Sequence, residues 1–264
     1  MRIFITGGTG FIGKHLVKKL REDKDNELLL LSKDLADIGT WKKEIEDFKP
    51  EATIHLAWEG LPDYSAETSI KNLNYGLDLM NLLAKLHCKK VLMVGTCWEI
   101  LAQPFNAFSA AKNALHWLSR EIAKENDVHF IWARLFFVYG PGQRKDSLIP
   151  YLINCRETGK KPEIKTAEAK NDFIYVEDVA EAIAMIIKKC QKSAVYNIGS
   201  GELTKVGDVA KIISPDLEIQ QSEISLVSSP CADVSKIKKE IGWEPKTIIK
   251  DGIKKTIPYY SSIK

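Results

Sequence analysis

Thr6-Gly-Gly-Thr-Gly-Phe-Ile-Gly13 follows the apolar run Arg2 to Thr6, opens a helical stretch, and decides the fold. Its three spaced glycines have separable tasks. Gly7 makes the tight turn, Gly10 lets backbone approach a pyrophosphate, and Gly13 lets helix and strand pack closely. Phosphates then sit on the helix N-terminus, where free N–H groups and the macrodipole favour negative charge. A glycine triplet alone is weak evidence, because any tight strand-to-helix turn uses glycine. Its place between a strand and a helix, with a second strand at the right distance, makes it a dinucleotide-binding loop to which Thr9, Phe11 and Ile12 also belong. The residue that distinguishes NAD from NADP falls about 20 residues further on, at the end of the second strand. Ser32 and Lys33 stand there, and a hydroxyl and an ammonium suit a 2′-phosphate, which favours NADP. In the alternative, NAD, Lys33 is merely solvated and Asp34 takes the ribose.

Outward from the loop, strands alternate with helical periodicity, the pattern of βαβ units on a parallel sheet. Strands are expected at Arg2 to Thr6, Leu28 to Leu31, Thr53 to Ala57, Lys90 to Gly95 and His129 to Leu135. Helices are expected at Gly10 to Arg21, Thr40 to Phe48, Ile70 to His87 and Ala107 to Asn126. In the third helix Leu73, Leu77, Met80 and Ala84 share a face; in the fourth Ala111, Leu115, Leu118 and Ile122 do. After Tyr139 the alternation gives way to Gly140-Pro-Gly-Gln-Arg-Lys-Asp146. A helix from Val176 to Lys188 and a strand from Ala194 to Ile198 then rejoin the sheet. The fold class is therefore α/β, a Rossmann-type doubly wound parallel sheet with a small C-terminal substrate lobe. Residues 1–139 plus about 173–198 form the dinucleotide-binding part, and about 140–172 plus 199–264 form the lobe.

With 264 residues the chain exceeds one average domain of about 150 and falls short of two, which fits a large domain carrying a small one. Its 45% hydrophobic and 28% charged residues support a sizeable core and exclude disordered and disulfide-scaffold classes. A net charge of +3 is too small to argue for nucleic acid. No run approaches the roughly 20 apolar residues of a membrane helix. Gly7 and Gly8 come too soon after Met1 for a signal peptide, so a cytoplasmic protein is expected. The five cysteines form no metal or disulfide pattern and suit a reducing compartment. His15, His55, His87, His116 and His129 have no partner at metal spacing, so no metal is expected.

Several motifs in order resemble the extended short-chain dehydrogenase/reductases, specifically the nucleotide-sugar epimerases, dehydratases and 4-ketoreductases. They are Thr6 to Gly13, His55-Leu-Ala57, Arg134-Leu-Phe-Phe-Val-Tyr-Gly-Pro141, Asp172-Phe-Ile-Tyr-Val-Glu-Asp178, Tyr196-Asn-Ile-Gly-Ser-Gly201, Ala232-Asp-Val-Ser-Lys236 and Gly242-Trp-Glu-Pro245. Leu56-Ala-Trp-Glu-Gly-Leu-Pro62 and Gly95-Thr-Cys-Trp-Glu99 look most like the 4-keto-6-deoxysugar reductases among them. The resemblance implies a nucleoside-diphosphate sugar substrate, a homodimer, and Leu56, Ala57, Trp58 and Leu135 as further cofactor contacts. It also implies a catalytic Ser or Thr after the fourth strand, met by Thr96, and a Tyr-x-x-x-Lys pair. Lys112 fits the lysine that holds the nicotinamide ribose, and spacing i, i+4 puts residue 108 on its face.

Residue 108 is Phe, which keeps the ring and loses the hydroxyl. General acid–base catalysis is worth a factor of about 10²–10⁴. Three readings stay open: Phe108 is an introduced exchange, or the proton comes from Thr96, Cys97 or an ordered water, or the protein binds its ligands without turning them over. On the substrate side Phe137 stands where the family often has Asn, and Asn171 where it has Arg in Arg-Asp-Phe. Arg144 is a candidate for the diphosphate, and Trp98 and Tyr139 for stacking on a base or sugar face. Relative to the family two stretches look trimmed: Ser32 runs almost directly into the next helix, and only Gln103 to Ala107 bridges the Thr96 region to Phe108.

Overall fold

The computed structural model describes residues 1–31, 34–101, 106–216 and 229–262. In chain order the first half runs β1 (Arg2–Thr6), α1 (Phe11–Leu20), β2 (Glu27–Leu30), α2 (Ile38–Phe48), β3 (Ala52–His55), α3 (Ala66–Lys85), β4 (Lys90–Thr96), α4 (Ala107–Glu125) and β5 (His129–Leu135). The second half adds β6 (Phe137–Tyr139), α5 (Leu148–Thr158), β7 (Lys170–Asn171), β8 (Phe173–Tyr175), α6 (Val176–Lys189), β9 (Ala194–Ile198), β10 (Thr204–Lys205), α7 (Val206–Ile213), α8 (Ser235–Ile241) and α9 (Ile249–Ser261).

Six strands make one sheet in the order β2-β1-β3-β4-β5-β9, with every pairing parallel. The chain leaves β1 to one side for β2 and returns on the other for β3, so the order reverses between β1 and β3. Ligands of open α/β sheets bind at that reversal, beyond the carboxyl ends of the strands. Among the described residues α2 follows β2 with no strand between, and β3 pairs directly with β1.

Alternate residues of each strand feed two separate cores. Ile3, Ile5, Ile131 and Ala133 pack with Leu16 and Val17 of α1 and Val179 and Ile183 of α6. Phe4, Phe130 and Trp132 face the other way, against Trp41 of α2, Leu79 and Leu83 of α3 and Leu115 of α4. Both sheet faces are thus covered, which accounts for the near-continuous apolar strands. A third core gathers Ile149 and Ile153 of α5, Phe173 and Tyr175 of β8, Val209 of α7 and Ile253 of α9. Ile237, Ile241 and Trp243, which sequence assigns to the substrate lobe, pack instead in the first sheet core.

Helix α3 starts at Ala66 rather than Ile70, because Ser65 caps it and accepts a hydrogen bond from the Thr68 amide. Two short pairings form separate two-stranded sheets, β6 with β8 in parallel and β7 with β10 antiparallel. All five cysteines are free thiols; four are buried and Cys231 is exposed. No described helix is long and apolar enough to cross a membrane.

Candidate active site

At the end of β1 the chain turns through Gly7 with φ +72°, and a β-carbon there would lie 2.7 Å from the Ala57 nitrogen. A β-carbon on Gly13 would lie 2.0 Å from the Gly7 carbonyl oxygen. Loop, helix and neighbouring strand therefore meet backbone to backbone, and no side chain fits at either position. Gly10 closes the turn by donating its N–H to Gly7 (3.0 Å) and caps α1 without a side chain. The first amides of α1, at Phe11, Ile12 and Gly13, are left to an outside acceptor, which fits a pyrophosphate. Thr9 lies exposed on the loop, and Phe11 packs edge-on against His15.

Leu56, Ala57 and Trp58 leave β3 beside this loop, held by Leu56 N–H to Thr6 O (3.1 Å) and Ala57 N–H to Thr6 Oγ1 (3.4 Å). Thr6 Oγ1 also meets His55 Nδ1 at 2.7 Å, in full burial. Leu135 closes β5 between Thr96 and Ile198. Beyond β2, Asp34 accepts from the Ala36 amide (2.8 Å), which holds its carboxyl below the usual carboxylate range. Burial pushes the nearby Glu59 carboxyl up. Ser32 and Lys33 lie outside the described residues.

Thr96 ends β4 and caps a short 3₁₀ turn, Cys97–Ile100. Glu99 folds back beneath it, its side chain wholly buried, accepting from Thr96 N–H (2.6 Å), Trp132 Nε1 (2.7 Å) and Arg134 Nε (3.3 Å). Thr96 thus stands on a carboxylate already committed to three donors. Helix α4 begins with a reciprocal cap between Asn106 and Ser109, which places Phe108 in its first turn and Lys112 one turn on.

Lys112 is 3% exposed, and its ammonium donates to the Val94 carbonyl (2.8 Å). It lies 4.0 Å from the centre of the Trp58 ring and 5.9 Å from that of Phe108. Burial pulls its pKa down to about 7, opposed by the charge of Glu99. The Phe108 ring is met edge-on by Trp58 at 5.1 Å and by Tyr64 at 5.5 Å. Among the described residues the buried Trp58 Nε1 has no hydrogen-bond partner. Phe108 and Lys112 thus meet through Trp58, and Lys112 engages β4 two residues before Thr96 ends that strand. Tyr64 is not legible from the sequence as part of this group; only its place just before the Ser65 cap, in the loop that leaves β3, points there.

The substrate-side candidates divide. Trp98 and Phe137 are half-buried and in edge contact at 5.7 Å, and Asn171 lies on β7 opposite Thr204. Cys97 is buried with Phe136 and Ala232, and burial pushes its thiol up to about 12. Arg144 is in an exposed loop, 3.4 Å from Asp146. Tyr139 is a correction: it is 1% exposed and sits in the third core, its hydroxyl on the Ile249 carbonyl, so its ring has no free face for a base or sugar. Asp172, which opens a motif in the sequence without an assigned role, proves structural. Its carboxylate is fully buried and accepts from Ser200 N–H (2.6 Å), Ser200 Oγ (2.7 Å), Gly201 N–H (3.0 Å) and Ala232 N–H (2.9 Å), tying three segments together. Asp178 accepts from the Lys246 and Thr247 amides and so holds the tail onto α6. Among the described residues no group of His, Cys, Asp and Glu is arranged to hold a metal.

The model of the NAD dependent epimerase/dehydratase family matches residues 3–199. UDP-glucuronic acid decarboxylase 6 of Arabidopsis thaliana is 27% identical over 96% of this chain and 87% of its own length. The dTDP-4-dehydro-6-deoxyglucose reductase of Escherichia coli is 24% identical over 97% and 96%. Among solved structures, the UDP-glucose 4-epimerase of Thermotoga maritima, with UDP-glucose, superposes with a TM-score of 0.88 at 24% identity, covering 99% of each chain. A glycine cradle built for a pyrophosphate, a threonine at the end of β4, a buried lysine on α4 and a family match over most of the chain agree: this protein belongs to the NAD dependent epimerase/dehydratase family.

Proposed function

We propose that this chain is a reductase of a 4-keto-6-deoxy nucleoside-diphosphate sugar. The stretches Leu56–Pro62 and Gly95–Glu99, most like those of the 4-keto-6-deoxysugar reductases, carry the reading. Reduction needs an acid to give the new alcohol oxygen its proton, oxidation needs the conjugate base of the same group, and Phe108 supplies neither. The proton therefore comes from another group. A reduced nicotinamide dinucleotide, held by the glycine loop, would supply the hydride. Thr96 polarises the carbonyl oxygen, Lys112 orients the ribose, and Trp98 and Phe137 flank the sugar. Elimination of water, as in a dehydratase, also asks for a second acid–base group. Cys97 is buried with a raised pKa, Trp98 has none to offer, and Glu99 is sealed beneath Thr96.

The favoured cofactor is NADP. Besides Ser32 and Lys33, a groove of about 370 Å³ on the outer side of the phosphate loop, lined by Gly8, Thr9, Lys14, Val17, Lys18 and Arg21, offers three cations to a 2′-phosphate. NAD is the alternative, supported by the carboxylate of Asp34. Five free thiols fit a reducing, cytoplasmic setting.

The test mixes the protein with NADPH, or with NADH, and dTDP-4-keto-6-deoxyglucose, and follows cofactor absorbance for the wild type and Phe108→Tyr. Oxidation is expected in both, faster with NADPH. An epimerase gives a changed sugar without net oxidation. If neither variant oxidises cofactor with any of several sugar nucleotides, the reductase reading fails. If calorimetry also finds no binding, so does every nucleotide-sugar reading.

A further inference from the structure

We propose that Tyr64, from the loop between β3 and α3, is the catalytic acid that gives the reduced carbonyl oxygen its proton. The inference rests on the reductase reading and names the donor that Phe108 cannot be. The Tyr64 ring stands edge-on to Phe108 with centres 5.5 Å apart. That contact sets a phenol side chain directly against the ring that lacks one. Tyr64 is 44% exposed and makes no hydrogen bond among the described residues, so the hydroxyl is free for a ligand and open to solvent.

The backbone at this position is built rather than loose. Asp63 N–H donates to Gly60 O (2.8 Å), and Asp63 accepts from Ser65 N–H (2.9 Å), from Ser65 Oγ (3.0 Å) and from Thr68 Oγ1. Ser65 is in turn the cap of α3. Tyr64 is thus pinned between two anchored neighbours, with only its ring left unengaged by hydrogen bonds.

The other candidate donors are weaker acids or engaged elsewhere. Thr96 keeps its O–H free to polarise the carbonyl, but an aliphatic hydroxyl is a far weaker acid than a phenol and gives up no proton. Cys97 is buried away from the ring among Phe136 and Ala232. His55 is sealed beneath the cleft on Thr6. Asp63 is turned into its own loop, and Glu59 accepts from the Leu35 amide on the side of Asp34. Lys112 lies against the Trp58 face with one donor on Val94, and the proposed reading gives its others to the ribose.

The step balances. A reduced nicotinamide dinucleotide gives hydride to the carbonyl carbon, the π pair moves onto oxygen, and the Tyr64 O–H bond breaks as the new O–H bond forms. The cofactor leaves oxidised, the sugar carries a secondary alcohol, and solvent reprotonates the phenolate.

The experiment uses the full chain with NADPH and dTDP-4-keto-6-deoxyglucose, comparing wild type, Tyr64→Phe, Phe108→Tyr and the double variant. Tyr64→Phe is expected to lower kcat about 100-fold while KM stays within about threefold. Restoring a phenol at 108 in the double variant is expected to recover most of that loss. A readout independent of turnover is the NMR spectrum of protein labelled at the tyrosine ζ carbon. One resonance, absent from Tyr64→Phe, is expected to shift when UDP-glucose joins the oxidised-cofactor complex. Wild-type kcat in Tyr64→Phe overturns the assignment alone. So does a loss that the double variant does not recover, or a Tyr64 resonance that ignores the ligand. A wild type that oxidises no cofactor, beside an active Phe108→Tyr, overturns Tyr64 and keeps the site. Inactivity of both variants removes the reductase reading and this assignment with it.

Discussion

His55 shows how a side chain beneath the cleft makes the protein sensitive to pH. It is buried on Thr6, and burial, helped by the charge of Lys112, pulls its pKa from 6.5 to about 3. Between those values the unfolded chain holds a proton that the folded chain refuses, so stability falls as pH drops from 6.5 toward 3. The slope for one such group is about 1.4 kcal/mol per pH unit. Lys112 works the same way at higher pH: the unfolded side chain stays charged up to its usual 10.5 and the folded one only to about 7, so its contribution grows as pH rises between them. Urea unfolding of wild type and His55→Asn at pH 7, 5.5 and 4.5 is expected to show the shallower pH dependence in the variant; parallel curves would remove His55 from the account. At this scale position is legible wherever it depends on local spacing. Thr96 ends a strand, and Lys112 lies one turn from Phe108. The sequence is silent on Tyr64 and Glu99, whose partners come from other elements.

Strand β4 and the turn after it depend on a glycine. A β-carbon at Gly95 would lie 2.2 Å from Glu99 Oε1 and 2.3 Å from Trp132 Nε1, inside the hydrogen bonds that bury the Glu99 carboxylate. Gly95→Ala is therefore expected to destabilise the fold by about 2–4 kcal/mol, because it separates a buried charge from its donors. Thermal unfolding checks this, and a change under about 0.5 kcal/mol would show that the turn gives way instead. Elements with an apolar period or a strand–helix rhythm were readable: β1, α1, β4, α4, β5 and α6 fall within a residue or two of expectation. Helix α9 was not. Ile249, Ile253, Ile257 and Tyr260 do recur at helical spacing and pack in the third core, but Gly252 and Pro258 inside the helix and the lysines around them obscure that stripe in the sequence.

For the molecule as a whole, the sheet with its two flanking cores was legible because βαβ units are local. The third core was not, because α5, β8, α7 and α9 assemble it from distant segments. The outer sides of α3 and α4 expose Ile70 at 55%, Trp117 at 54% and Leu118 at 49%, more apolar surface than a solvated helix pair needs. We infer a homodimer through this face. Sedimentation equilibrium is expected to give twice the chain mass for the wild type and the single mass for Trp117→Glu/Leu118→Glu; a monomeric wild type would refute it. The thiols carry a last consequence. With Cys88, Cys97, Cys155 and Cys190 buried and Cys231 exposed, a maleimide reagent meets one reactive position on the folded chain and five on the denatured one. Burial and the charge of Asp172 raise the Cys231 pKa, so labelling quickens toward alkaline pH. A dye placed there sits next to Ala232, whose amide is tied to Asp172, and gives an optical handle on the junction of those three segments without a single engineered cysteine.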